Sequence, residues 1–74
     1  MITKFRFFEF IQLNDGSSHS FYEVMRINKF YCYGVIKYVN SRKKWLFLPH
    51  YDTIYSTLFL QEIIDFLIYL NKIQ

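Results

Sequence analysis

The stretch Ser56-Thr57-Leu58-Phe59-Leu60-Gln61-Glu62-Ile63-Ile64-Asp65-Phe66-Leu67-Ile68-Tyr69-Leu70-Asn71-Lys72 decides the fold. Its apolar residues recur at helical spacing, and Ser56 or Thr57 offers a hydroxyl for the first free amides. The spacing predicts a helix over about 56–72. On a helical wheel Gln61, Glu62, Asp65, Tyr69 and Lys72 share one narrow face. Leu60, Ile63, Ile64, Leu67, Ile68 and Leu70 fill the opposite side, with Phe59 and Phe66 at its edge. That apolar arc spans roughly 220°, where a surface helix needs about 100°. One sheet does not cover so wide an arc. The excess points to a homodimer, with Phe59, Ile63, Phe66 and Leu70 as its interface. Gln61, Glu62 and Asp65 interrupt the stretch, so it does not read as a membrane span.

Upstream of Ser56 the pattern changes. Asn14-Asp15-Gly16-Ser17-Ser18 is a strong hairpin turn, because Asn, Asp and Gly tolerate positive φ. Asn28-Lys29 and Asn40-Ser41-Arg42-Lys43 are further breaks, and Pro49 ends a ladder because it has no N–H. Between the breaks lie Phe, Tyr, Ile and Val, which favour strands. Four strands are predicted, at 3–13, 20–28, 30–39 and 44–48. The expected class is α+β: a four-stranded antiparallel sheet packed by one C-terminal amphipathic helix, as a single domain over 1–74.

Side chains alternate between the faces of a strand, so parity sorts them. Phe5 and Phe7, Phe21, Met25 and Ile27, then Phe30, Cys32, Ile36 and Tyr38 gather on one side. Lys4, Arg6, Tyr22, Arg26, Tyr31, Tyr33 and Lys37 gather on the other, extended by the turn Arg42-Lys43-Lys44. The parity of the first strand changes at Phe7-Phe8, which signals a bulge or bend. Trp45 shares the parity of Phe47 and reads as core.

Composition narrows the classes. In 74 residues, 53% are apolar and 23% aromatic, which excludes a disordered tail or a Gly/Pro linker. A chain of this size is marginal alone, and the single Cys32 permits no internal disulfide. One free thiol fits a reducing compartment, so a cytoplasmic protein is expected. Residues 1–50 carry eight basic residues against three acidic (+5), and residues 51–74 carry one against three (−2). His19 and His50 lie near Asp15 and Asp52 but lack metal-ligand spacing, and Cys32 reads as a packed thiol. Nothing calls for a cofactor or an enzymatic role.

The passage Lys44-Trp45-Leu46-Phe47-Leu48-Pro49, followed by a helix after Ser56, closes a four-strand-then-helix order. That order resembles the positive-coactivator single-stranded-DNA-binding fold, which is also seen in some phage proteins. The resemblance covers nearly the whole chain and implies a dimer whose sheets hold single-stranded DNA. Independently of it, rings among lysines and arginines on an open sheet suit base stacking and phosphate contact. The expected function is therefore a small, non-enzymatic module, phage or viral in type, that binds single-stranded nucleic acid. Its contacts would be Lys4, Arg6, Tyr22, Arg26, Tyr31, Tyr33, Lys37, Arg42, Lys43 and Lys44. The alternative is an inhibitor or adaptor that binds a host protein, since Tyr, Trp and Arg anchor protein interfaces.

Overall fold

A computed structural model of the chain describes residues 2–14, 16, 20–29 and 31–73. It contains β1 (Ile2–Lys4), β2 (Phe8–Leu13), β3 (Phe21–Arg26), β4 (Cys32–Val39), β5 (Lys44–Pro49) and α1 (Thr57–Ile73). The strands form one antiparallel meander in chain order, and α1 packs on one of its faces. The α+β class is as expected. The strand foreseen over 3–13 is divided in two at Phe5-Arg6-Phe7, where parity had changed. Phe5 N–H donates to Phe8 O at 2.8 Å, which closes that corner.

The corner leaves amides that no strand satisfies, and the helix supplies their acceptor. Phe7 N–H donates to both oxygens of Glu62, at 2.8 and 3.1 Å, and Phe8 N–H donates to Oε1 at 3.2 Å. Arg26 holds the same residue from the other side, with Nη1 donating to Phe7 O at 2.9 Å. Glu62 is only 8% exposed, so its place on a solvated helix face is corrected. A buried carboxylate needs such donors, because an unsatisfied one is costly.

Glu62 therefore fixes the rotation of α1. The residues turned into the core are Glu62, Ile63, Phe66 and Leu70, and Phe66 stacks on Phe10 with ring centres 4.2 Å apart. Leu60, Ile64 and Ile68 face outward at 42%, 45% and 59% exposure. The helix start follows the sequence: Phe59 N–H donates to Ser56 Oγ at 3.1 Å. At its other end, Asn71 reaches the last strand. Trp45 N–H donates to Asn71 Oδ1 at 2.8 Å, and Asn71 Nδ2 donates to Trp45 O at 3.2 Å.

The covered face of the sheet carries Phe8, Phe10, Tyr22, Val24, Ile36 and Trp45. This inverts the expected parity of β3. Leu13 pairs with Phe21 across the hairpin, which sets Phe10 opposite Val24. The even residues of β3 then follow Phe10 inward, while Phe21 and Met25 turn out. A second shift lies in β4, where Val24 pairs with Gly34 but Met25 pairs with Cys32. The extra residue is Tyr33, which the bulge re-aims onto Phe8, Tyr55 and Phe59.

Gly34 has φ +154°, and a Cβ there would lie 2.5 Å from Leu48 O. Gly34→Ala is expected to push β5 away and cost about 2 kcal/mol or more. Glu62→Ala strands two buried amides and is expected to cost about 3 kcal/mol, with Glu62→Gln costing less. Urea unfolding of both variants measures these losses.

Candidate functional site

The ten residues expected to form one Tyr/Lys/Arg face fall into separate places. Tyr22 is 8% exposed, with its ring against Trp45 and Phe66, so its assignment to an open surface is corrected. Tyr33 is drawn to the covered side by the bulge. Arg26 lies over the Phe59 ring at 4.6 Å and within reach of Phe7 and Phe8, also on the covered side. Arg6 lies in the β1–β2 corner over Phe7 at 5.0 Å. Tyr31 precedes β4, edge-on to Tyr33, with its hydroxyl 3.5 Å from Asp52. Only Lys4 and Lys37 stand on the outer sheet face, with Lys44 beyond them at the start of β5. Arg42 and Lys43 are exposed in the β4–β5 turn, where Lys43 takes a left-handed φ of 55°.

The basic groups thus form two clusters at opposite ends of the sheet. One is the β4–β5 turn. The other joins Arg6, Arg26 and Lys29 around the β3–β4 turn and the β1–β2 corner. No continuous basic track links them across the strands.

The dimer residues are also re-placed. Ile63, Phe66 and Leu70 are buried within their own chain, and Phe59 packs on Phe7, Phe8 and Tyr33. The wheel showed which helix residues were apolar. It did not show that Glu62 would be turned inward and carry the aromatic side with it.

The feature that parity missed is the outer face itself. The pairing register sets three cross-strand rows there. One is Leu13, Phe21, Lys37 and Leu46; the next is Ile2, Ile11, Glu23, Val35 and Leu48; the third is Lys4, Glu9, Met25 and Cys32. Eight of these thirteen side chains are hydrocarbon or thioether. Glu23 stands among Ile11, Phe21, Met25 and Val35, and no described residue forms an ion pair with it. Lys37 Nζ lies over the Phe21 ring at 5.6 Å. At one end, Glu9, Ile11, Met25, Asn28 and Lys29 line a hollow of about 440 Å³. Asn28 there takes a left-handed φ of 62°, which closes the turn beside it.

Other chemistry is sparse. His19 and Asp15 lie outside the described residues, and His50 is exposed. Among the described residues no group of three or more His, Cys, Asp or Glu is placed to hold a metal ion. The half-buried Cys32 thiol donates to Gly34 O at 3.2 Å. Among the described residues no helix is long and apolar enough to cross a membrane. The chain matches no protein-family model, and no curated protein or solved structure matches it.

Burial raises the Tyr22 hydroxyl above its ordinary value, with a smaller contribution from Tyr69. Burial also raises Tyr55, whose hydroxyl donates to Tyr33 O at 2.9 Å. A raised tyrosine favours the neutral folded state. Its contribution is fully present below the unfolded value near pH 10 and is lost as pH rises through the folded value. Thermal melts between pH 8 and pH 11.5 are expected to fall only in the alkaline limb. Tyr22→Phe is expected to flatten that limb.

Proposed function

We propose that the chain is a non-enzymatic binding module that docks a protein on the outer face of its sheet. It acts in the cytoplasm, where its single thiol stays reduced. The observation that carries this reading is the chemistry of that face: three rows of mostly apolar side chains, opposite the helix. Antiparallel sheets usually turn polar residues to solvent on their second side. A mostly apolar patch that encloses Glu23 and Lys37 and is rimmed by Lys4, Glu9 and Lys29 has the make-up of a protein contact surface. The hollow beside Ile11 and Met25 has room for a partner's side chain, and anchored side chains are the usual source of interface energy.

The arrangement gives single-stranded nucleic acid less support. Phe21 is the one aromatic residue in the three rows, and the basic groups lie at the two ends of the sheet. The likeness to the positive-coactivator fold remains a matter of element order.

Photo-crosslinking tests the reading. A photoreactive residue at Val35 is expected to label a protein, and one at Ser41 in the β4–β5 turn is not. Ile11→Lys is expected to abolish the Val35 product. A labelled oligothymidylate is expected to show no salt-sensitive binding at low ionic strength. Steep salt-dependent binding of the oligonucleotide, with no protein crosslinked at Val35, would overturn the proposal.

A further inference from the structure

We infer that the protein docked on the outer sheet face is a second copy of this chain. This rests on the docking reading above and names its occupant.

Size is the first argument. Five strands at about 4.8 Å spacing span roughly 24 Å, and three rows along the strands span about 20 Å. Two such faces pressed together bury on the order of 1,000 Å² at most, at the lower end of what specific interfaces use. No extra element is needed to reach that area. A domain this small gains most from such burial, because alone it leaves a large share of its apolar surface in water.

Charge is the second argument. A face of one sign repels its own copy, but this one carries both. Glu9 and Glu23 stand among Lys4 and Lys37 in the same three rows. Two sheets packed face to face keep their strands within about 30°. A two-fold axis running between β3 and β4 sets β3 of one copy over β4 of the other. Glu23 of each copy then stands one row from Lys37 of the second copy, and Lys37 meets the second copy's Phe21. The pairing is reciprocal, as an isologous contact requires. It also gives Glu23 a second cation beside its own chain's Lys37, one row away, which an aliphatic partner would not supply.

Sedimentation equilibrium on the purified chain tests this, over about 1 to 200 µM, a range that brackets micromolar association. The wild type is expected to dimerise reversibly. Glu23→Lys and Lys37→Glu, each checked for native circular dichroism and melting, are expected to weaken the dimer about tenfold or more. The chain carrying both substitutions is expected to regain the wild-type constant, because the swapped pair is again complementary. A folded wild type that stays monomeric throughout would overturn the inference. So would a dimer that none of these changes affects. If the monomer persists but Val35 still crosslinks to another protein in an Ile11-dependent way, docking on this face stands and the second copy falls. If that crosslink is also missing, both readings fall.

Discussion

The structure depends on one carboxylate. Dividing the first strand at Phe5-Arg6-Phe7 folds β1 back antiparallel on β2, but it takes the Phe7 and Phe8 amides out of any ladder. Buried amides without acceptors cost about 1–3 kcal/mol each, a large share of a small domain's stability. Glu62 removes that cost and, because it is anchored in α1, also sets the helix's rotation. The residues one turn either side of it then meet the sheet. Arg26 completes the grip by taking Phe7 O, so a cation and an anion hold opposite ends of one residue.

What fills the space between helix and sheet follows from this setting. With few small residues available, the core is built from rings that meet mostly edge to face. Phe5, Phe10, Tyr22 and Phe66 form one group, and Phe8, Tyr33, Tyr55 and Phe59 another. Such contacts add stability beyond the area they bury, and they are directional. Directionality matters in a chain this short, because it selects one packing where generic apolar contact would allow several. The bulge at Tyr33 is part of the same solution, since it brings a fourth ring into the second group.

The class of fold was legible because turn chemistry and periodicity are local. The Ser56 cap, the Pro49 stop and the inward Trp45 all depend on near neighbours, and β2 and β3 pair antiparallel as foreseen, although Asp15, Ser17 and Ser18 of the expected turn lie outside the described residues. The site was less legible because face assignment depends on register, and register is set across strands. A period-two count carries no knowledge that Leu13 pairs with Phe21, so it placed Tyr22 with the lysines. It carries no knowledge of the bulge, so it did the same with Tyr33. The helical wheel failed similarly at Glu62: it ranks residues by hydropathy, whereas two amides 54 and 55 positions away demanded a carboxylate. The alternation of Phe, Met and Ile with charged residues was real. In β3 it marked the outer face, through Phe21 and Met25, whereas Ile36 and Tyr38 of β4 and Phe5 and Phe7 pack on the covered side.

The side-chain amide of Asn71 has a consequence for how the molecule behaves in a crowd. A meander leaves two borders with unpaired peptide groups, and such borders template the cross-strand growth that ends in fibrils. Here one border is a strand of three residues, too brief to seed a ladder. Along the other, Asn71 imitates a neighbouring strand at Trp45, and Pro49 withholds a donor farther on. Both borders are therefore blunted as templates for lateral growth. In a chain rich in Phe, Tyr and Ile, the apolar surface left open is then the broad side of the sheet more than its borders.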